Sequence, residues 1–346
     1  MKNTCPLLLA LIVIGPMPVS PQTLREAANQ RGVKIGAAIA PAHLGETEYA
    51  ATAAREFNQV EPENAMKFGP IQPGPQTFNW APADVVVAFA QQHGMAVRGH
   101  NLVWHRQNPG WITSGHFTAD QLHSILQDHI TKVVIHYHGQ IYAWDVVNEA
   151  FNADGTLRST IWADSPGIGM SGTAYIEQAF RWAHAADPKA LLFYNDYDAE
   201  VMNAKSDSIY RMAKDFKARG VPLDGIGLQM HFKLDETRFA SMEANIKRIA
   251  ELGLQVQITE LDVRIPVGPS GEASAADLRR QADVYRNAAE ACLKFPQCTA
   301  IQTWGFTDKY SWIPHEDPGF GAGLEFDTNY RPKPAFYALL DALRTR

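Results

Sequence analysis

The chain has 346 residues, of which 46% are hydrophobic and 20% charged, so it can bury a large core and is expected to be globular and soluble. Its formal net charge of -6, without a cluster of lysine and arginine, argues against nucleic acid or an anionic membrane as the main partner. We therefore expect a neutral or weakly charged substrate. We also expect a monomeric protein.

Residues 1–20 are predicted to be a secretory signal peptide. Lys2 precedes an apolar run from Leu7 to Ile14, and the small residues Gly15 and Ser20 mark the approximate region of cleavage. The run is short for a membrane span, so a retained signal anchor is the less favoured alternative. We expect residues 21–346 to form one domain that is secreted or periplasmic and has no membrane attachment after cleavage.

Removal of the signal peptide would take Cys5 away and leave Cys292 and Cys298 as a candidate pair. In an oxidising compartment this short loop can close as a disulfide, which stabilises a fold by roughly 2 kcal/mol in the chain-entropy model. Two thiols alone make a poor zinc site, so no metal is expected there.

Short apolar runs alternate with longer amphipathic ones from Val33 onward. Strands are predicted at Val33–Ile39, Asn58–Glu61, Ala96–Val103, Ile141–Asn148, Ala190–Asn195, Gly225–His231, Gln255–Thr259 and Ala300–Trp304. Helices are predicted at Glu46–Glu56, Ala83–His93, Thr118–His136, Thr173–Ala186, Ala204–Arg219, Phe239–Glu251, Ala275–Phe295 and Pro334–Leu343. This alternation predicts an α/β fold with a single (β/α)8 barrel, and a doubly wound sheet is the competing topology. No glycine-rich dinucleotide motif follows the first strand, and no cofactor is expected.

Polar residues and tryptophans end most of the apolar runs. They are Glu63, Asn64 and Lys67; His100, Trp104 and His105; Asn148 and Glu149; Asn195 and Asp196; Gln229 and His231; Glu260 and Asp262; Trp304 and Asp308. In a barrel of parallel strands these ends share one rim, which is where catalytic side chains lie.

Two carboxylates stand out because each ends a strand pattern. Glu149 follows Trp144-Asp-Val-Val-Asn148, and Glu260 follows Gln255-Val-Gln-Ile-Thr259. Hydrolysis of a glycosidic bond needs such a pair, one to protonate the leaving oxygen and one to attack or to activate water. A lone glutamate at a strand end is more often an ion-pair partner or helix cap, but two of them flanked by tryptophan, histidine and amides favour catalysis.

The twelve histidines raise the alternative of a metal-dependent hydrolase. No His-Glu-x-x-His motif occurs, the first strand lacks His-x-His, and no metal site is expected. For His100 and His231 we expect hydrogen bonds to substrate or nucleophile, with a core histidine as the alternative. Trp104, Trp304 and Trp312 are candidates for stacking on the apolar faces of sugar rings, since exposed indoles are costly unless covered.

Together these residues resemble the glycoside hydrolase family 10 endo-β-1,4-xylanases, which are retaining enzymes on a (β/α)8 barrel. The resemblance covers nearly all of residues 21–346. Its motifs are Glu61-Pro-Glu63-Asn64-Ala-Met-Lys67, Gly99-His100-Asn-Leu-Val-Trp104-His105-Arg-Gln107, Trp144-Asp-Val-Val-Asn148-Glu149, Tyr194-Asn-Asp-Tyr197, Gly227-Leu-Gln229-Met-His231, Ile258-Thr-Glu260-Leu-Asp262, Trp304-Gly-Phe-Thr-Asp-Lys-Tyr-Ser-Trp312 and Arg331-Pro-Lys-Pro-Ala335.

The resemblance implies that Glu149 is the general acid/base and Glu260 the nucleophile, that Asn148 holds the sugar 2-hydroxyl, and that His231, with Asp262, orients Glu260. It also implies that the glycone side of the cleft is lined by Glu63, Asn64, Lys67, His100, Trp104, Gln107, Gln229, Trp304 and Trp312. The Cys292–Cys298 pair resembles a bridge found in many members.

Three positions depart from the family pattern: Phe68, Arg106 and Asp198. None of them belongs to the carboxylate pair. The expected activity is endo-hydrolysis of β-1,4-xylosidic linkages in xylan with retention of configuration. A β-glycanase or β-xylosidase acting on another glycan or on short xylo-oligosaccharides is the near alternative, and a non-catalytic xylan-binding barrel is a more distant one.

Overall fold

The computed structural model describes residues 23–164 and 172–345. The predicted signal peptide at residues 1–20 lies outside the described residues. Within them, no helix combines the length and apolar character needed to cross a bilayer.

The described residues contain ten strands and twelve α-helices. The strands are β1 (Lys34–Ala38), β2 (Gln59–Glu61), β3 (Ala96–Val103), β4 (Ala143–Asn148), β5 (Leu191–Asp196), β6 (Gly225–Leu228), β7 (His231–Lys233), β8 (Gln255–Pro266), β9 (Cys298–Thr303) and β10 (Phe320–Gly321). The helices are α1 (Leu24–Arg31), α2 (Thr47–Glu56), α3 (Phe68–Ile71), α4 (Ala81–Gln92), α5 (Gly110–Thr113), α6 (Ala119–His136), α7 (Ala174–Ala186), α8 (Ala204–Ala218), α9 (Phe239–Glu251), α10 (Ala275–Leu293), α11 (Ile313–Glu316) and α12 (Pro334–Arg344).

The sheet closes into a barrel of eight parallel strands. The order is β1, β2, β3, β4, β5, β6, β8 and β9, and β9 pairs back onto β1 with Ile35 opposite Ile301. This closure confirms the (β/α)8 prediction and rules out the open, doubly wound alternative. The register places Asn148 opposite Asn195 on the neighbouring strand, at the carboxyl end of the barrel.

Three barrel strands carry an irregular register near their carboxyl ends. On β8, Ile258 lies opposite Ile301 and Leu261 opposite Thr303, so three residues on one strand match two on the other. Similar shifts occur on β3 after His100 and on β4 after Asp145. Such bulges re-aim side chains, and here they coincide with the rim where the candidate residues lie.

Two predicted strands differ from the structure. The predicted strand Gly225–His231 is two strands, β6 and β7, because Met230 has a left-handed φ of 61° that breaks the extended run. The predicted strand Gln255–Thr259 continues to Pro266, so Glu260 and Asp262 lie inside β8 rather than after it. The outer half of β8 pairs with β7 and with the antiparallel β10.

The helix α1 was not predicted. It begins with a capping box in which Thr23 and Glu26 bond each other's backbone amides, and it buries Leu24, Ala27 and Ala28 while packing on α12. Cys292 and Cys298, at the end of α10 and the start of β9, form the predicted disulfide with their Cα atoms 5.5 Å apart.

Candidate active site

The carboxyl ends of the barrel strands open into a cleft of about 570 Å³. Both predicted catalytic glutamates and every predicted substrate-binding residue line it: Glu63, Asn64, Lys67, His100, Trp104, Gln107, Asn148, Glu149, Gln229, His231, Glu260, Trp304 and Trp312. Asp262 is fully buried directly behind this lining, where it bonds His231. Most of the residues that end the predicted strands therefore lie together at one rim, whereas Asn195, Asp196 and Asp308 are outside the cleft lining.

Glu260 is held on both of its carboxylate oxygens. The side-chain amide of Asn195 donates to Oε1 at 2.8 Å, and His231 Nε2 lies 3.1 Å from Oε2. The other ring nitrogen of His231 lies 2.9 Å from Asp262, which also accepts a 2.7 Å hydrogen bond from the indole of Trp312. Glu260 is 4% exposed, so these contacts rather than water fix its orientation.

His231 lies between two carboxylates, which favour its positively charged form. Burial acts to lower the pKa of its imidazole, but the charges and hydrogen bonds of Asp262 and Glu260 outweigh burial and raise it to about 10. The imidazolium donates from both nitrogens and so offsets part of the negative charge of the two carboxylates.

Glu149 lies at the end of β4 with a left-handed φ of 57°. Its Oε2 accepts from the indole of Trp104 at 2.9 Å, and its Oε1 accepts from the amide of Gln229 at 3.1 Å. Burial acts to raise the pKa of Glu149, but the hydrogen bonds from Trp104 and Gln229 outweigh it, and the net pKa is lowered. His105 Nδ1 lies 3.7 Å away, and burial lowers the pKa of that imidazole to about 4.

Side-chain amides connect the two glutamates. Asn195 donates to Asn148 at 2.9 Å as well as to Glu260, and Asn148 lies 3.3 Å from Glu149. Gln229 donates to both Asn148 and Glu149, at 3.2 and 3.1 Å. The pair is therefore held by one fixed amide network, which no local sequence pattern reveals.

Lys67 forms part of the cleft floor, where it is 5% exposed. Its ammonium lies 4.8 Å from the ring centroid of Trp104 and 5.1 Å from that of Trp304, and it donates to Asn64 at 2.8 Å. Burial lowers the pKa of the Lys67 ammonium, although nearby carboxylates, Glu260 among them, act to raise it. Burial likewise raises the pKa of Glu63, so both groups lack full solvation and are available to bind hydroxyls.

One group of described residues, Glu61, His100 and Asp145, has three ligand atoms within 4.8 Å of one another. The guanidinium of Arg98 already neutralises it, with Nε 3.2 Å from Asp145 and 3.5 Å from Glu61. A metal cation placed there would lie beside this buried cation and be repelled by it, so the cluster is better understood as support beneath the cleft.

A second groove, of about 640 Å³, lies between α6 and the segment that follows α3. Trp111, Phe117 and Ile125 form its apolar part, and its lining carboxylate, Asp128, is ion-paired with Lys132 at 2.8 Å. A glutamate pair is absent from that lining, so the smaller cleft at the barrel rim is the candidate active site.

The sequence profile of glycosyl hydrolase family 10 matches residues 23–342. The chain belongs to this family.

The endo-1,4-beta-xylanase B of Thermotoga neapolitana is 43% identical to this family 10 chain, over 100% of the chain and 99% of the relative. The crystal structure of xylanase 10B from Thermotoga petrophila RKU-1 in complex with xylobiose is 44% identical, with a TM-score of 0.89, over 95% and 98% of the two chains. The endo-1,4-beta-xylanase XylE of Penicillium canescens is 34% identical, with a TM-score of 0.88, over 93% and 98%.

The positions that depart from the family 10 pattern differ in their relation to the cleft. Phe68 is buried and stacks on His129, with ring centroids 3.5 Å apart, so it packs beneath the floor. Arg106 and Asp198 line the cleft itself. Asp198 has a φ of 51°, in the left-handed region that aspartate tolerates better than most residues.

Several residues in or directly behind the cleft lining of this family 10 chain were not assigned a role from sequence. Asn195 was placed at a strand end, and only the structure shows that it bonds Glu260. Tyr197 ends the motif Tyr194-Asn-Asp-Tyr197. Arg158, Lys233 and Arg264 also line the cleft, but they fall in segments with no distinctive sequence pattern. A basic residue outside the predicted strands is usually a solvated surface group, so sequence offered no reason to select these three.

Proposed function

We propose that this protein is a retaining endo-1,4-β-xylanase that hydrolyses β-1,4-xylosidic linkages within xylan. The observation that carries this function is the pair of glutamates at the barrel rim, with Glu260 fixed by Asn195 and His231 and Glu149 facing donors from Trp104 and Gln229. The family 10 match and the full-length similarity to an endo-1,4-beta-xylanase support the choice of substrate.

Glu260 is proposed as the nucleophile. One of its carboxylate oxygens attacks the anomeric carbon, the bond to the glycosidic oxygen breaks, and a covalent glycosyl-enzyme forms. The double hydrogen bonding of Glu260 presents one orientation of the carboxylate and removes the need for reorganisation during attack. His231 and Asp262 are positioning residues in this proposal.

Glu149 is proposed as the general acid/base. It gives its proton to the departing oxygen, then takes a proton from the water that attacks the glycosyl-enzyme as the bond to Glu260 breaks. In the free enzyme the donors of Trp104 and Gln229 favour the ionised form, which suits the second step. A bound sugar chain would desolvate Glu149 further and raise its pKa, which suits the first step.

The remaining cleft residues are proposed to bind substrate. Asn148 is placed to hold the sugar 2-hydroxyl, where a contact that strengthens in the oxocarbenium-like transition state accelerates the reaction. Lys67 and Glu63 offer charged hydrogen bonds to other hydroxyls, which discriminate strongly because an unpaired group in a desolvated cleft is costly. Trp304 and Trp312 would crowd a hydroxymethyl group, which favours xylose over glucose.

The deciding experiment compares the release of reducing ends from xylan, cellulose and xylobiose by the purified protein. Rapid release from xylan with products longer than one sugar is the expected result. Preferential release from cellulose would identify a different β-glycanase, and preferential cleavage of xylobiose would identify a β-xylosidase. Activity that persists after chelation is expected, since no metal takes part in the proposed steps.

We further propose that residues 1–20 are removed during secretion and that residues 21–346 are a monomeric catalytic domain. The family match begins at residue 23, and a disulfide between Cys292 and Cys298 suits an oxidising compartment. Sequencing the amino terminus of the exported protein and measuring its mass in solution test both parts. An intact Met1 terminus on the exported protein would contradict the first part, and a dimeric mass the second.

A further inference from the structure

The peptide bond that follows Glu149 is held at both of its polar atoms by side chains. Arg158 Nε donates to the carbonyl oxygen of Glu149 at 3.0 Å. The amide N–H of Ala150 donates to the phenolic oxygen of Tyr194 at 2.8 Å. This peptide fixes the direction in which the Glu149 side chain leaves the backbone.

These two side chains are connected to each other behind the peptide. The hydroxyl of Tyr194 donates to Asp196 at 2.5 Å, and Arg158 donates to the hydroxyl of Tyr197 at 3.0 Å. The Lys205 ammonium joins the two branches, because it lies 2.6 Å from Asp196 and 3.6 Å from the ring centroid of Tyr197. We call this closed set of Arg158, Tyr197, Lys205, Asp196 and Tyr194 the Glu149 circuit.

The Lys205–Asp196 ion pair at the centre of the Glu149 circuit is buried, and removing these two charges from water costs the fold free energy. Lys205 is 1% exposed and Asp196 is fully buried, and burial raises the pKa of Asp196 to about 7 against the opposing charge of Lys205. A buried ion pair rarely stabilises a protein more than apolar residues of the same size would. The pair therefore calls for an explanation other than stability.

The backbone of Glu149 supplies that explanation. A left-handed φ of 57° at a non-glycine residue is strained, and such strain persists only where the surrounding structure enforces it. Arg158 and Tyr194 of the Glu149 circuit hydrogen-bond the two polar atoms of the peptide that follows this strained residue.

We propose that the Lys205–Asp196 ion pair is a positioning device for the acid/base glutamate, acting through Tyr194 and Tyr197 on the Glu149–Ala150 peptide. The inference rests on the proposed role of Glu149. Lys205 and Asp196 do not line the cleft, so their effect on substrate is indirect. Loss of the pair lets the peptide relax and moves the carboxyl away from the glycosidic oxygen.

A misplaced Glu149 carboxyl cannot protonate the leaving group well. It therefore slows bond cleavage strongly for a basic leaving group, which must be protonated, and only slightly for a leaving group that departs as a stable anion. The experiment measures kcat/KM on two substrates. Phenyl β-xylobioside releases phenolate, a poor leaving group, and 2,4-dinitrophenyl β-xylobioside releases dinitrophenolate, a good one. Lys205→Met is expected to lower the first by about a hundredfold and the second by less than about threefold. Lys205→Arg, which keeps the charge and the donor, is expected to recover part of the loss.

Two further variants separate this effect from poor folding. Tyr194→Phe removes the acceptor for the Ala150 amide without adding a charge, and it is expected to show the same selective loss. Lys333→Met is the matched control, since Lys333 is also buried and ion-paired, with Asp308 at 2.7 Å, but lies outside the Glu149 circuit. It is expected to lower the melting temperature while leaving the ratio of the two kcat/KM values unchanged.

An equal loss on both xylobiosides in Lys205→Met and Tyr194→Phe would overturn the proposal, and so would a ratio no different from that of Lys333→Met. If Lys205→Met does not fold, Tyr194→Phe and the double variant Lys205→Met/Asp196→Asn, which leaves no lone buried charge, decide by the same ratio. Failure of the unmodified protein to cleave either xylobioside would instead overturn the proposed function.

Discussion

Asn195 donates its side-chain amide to the carboxylate of Glu260 at 2.8 Å. The carbonyl oxygen of the same amide accepts a 2.7 Å hydrogen bond from Thr259, which fixes which end of the amide faces Glu260. Asn195 is fully buried, so no water can take over this bond without a rearrangement of the site. The orientation of the proposed nucleophile on β8 therefore depends on a residue of β5, from which β6 separates it in the barrel.

Asn195→Ala is expected to lower kcat/KM on xylo-oligosaccharides by about a hundredfold, because it removes a preorganised donor to Glu260. Gly227→Ala should produce a similar loss without altering any polar group, since an added Cβ would lie 2.3 Å from the Asn195 side-chain oxygen. Steady-state kinetics on xylohexaose measure both. Activity close to that of the unmodified protein in either variant would show that Glu260 is oriented without Asn195.

Glu260→Ala is expected to abolish turnover of every substrate, because no covalent intermediate can form without the nucleophile. Glu149→Ala is expected to retain measurable turnover of aryl glycosides with good leaving groups, which need no protonation, and to lose about 10²- to 10⁴-fold on xylan. Parallel assays on xylan and on 2,4-dinitrophenyl β-xylobioside check the assignment. Equal loss on both substrates in Glu149→Ala would contradict it, and so would measurable turnover of either substrate by Glu260→Ala.

Trp104→Phe is expected to shift the basic limb of the pH profile. It removes the indole donor that lowers the pKa of Glu149, so that pKa rises and the acid stays protonated to higher pH. The shift should be about one pH unit, since a hydrogen bond to a charged group contributes roughly 1.5 kcal/mol and one unit corresponds to 1.36 kcal/mol. The pH dependence of kcat/KM measures it.

Trp312→Phe is the matched control for that measurement. Its indole donates to Asp262 rather than to Glu149, so the basic limb should stay where it is in the unmodified protein. A shift of the same size in both variants would mean that general loss of the cleft wall, and not the hydrogen bond to Glu149, sets the limb.

His231 makes the stability of the fold depend on pH. Folding raises its pKa from 6.5 to about 10, so the folded state binds the proton more tightly than the unfolded chain. The resulting stabilisation is complete below pH 6.5 and is lost as the pH rises towards 10. Urea unfolding of the unmodified protein should show this decline, and His231→Gln should show a shallower one, since the buried carboxyls of Glu61 and Glu325, whose pKa burial raises to about 8, also lose protons in this range. Parallel curves for the two proteins over that range would refute the prediction.

The features that sequence predicted correctly were local ones. Apolar runs that end in Asn148 and Glu149, or continue into Glu260, indicate both the strands and the rim, because burial and strand direction are encoded within a few residues. The break between β6 and β7 was missed because Met230 is neither glycine nor proline. The helix α1 was missed although Thr23 and Glu26 form a capping box.

Contacts between distant parts of the chain could not be predicted in the same way. The bond from Asn195 to Glu260 spans 65 positions, and the bond from Arg158 to Tyr197 spans 39. Each depends on the register of barrel strands and on the course of a loop, neither of which leaves a periodic signal. The strand-end residues that line the cleft were predictable, but basic residues such as Arg158 and the network that connects the lining were not.

The extra residue on β8 between Ile258 and Leu261 has a consequence for changes in chain length. Two residues of β8, Thr259 and Glu260, oppose the single residue Gln302 there, and the pairing is regular again where Leu261 lies opposite Thr303. Deleting Thr259 would remove the bulge that aims Glu260, and it would take away the hydroxyl that fixes the amide of Asn195. A single deletion in this stretch should therefore be more harmful than any conservative replacement of Leu261, even though it leaves both acidic residues in the sequence.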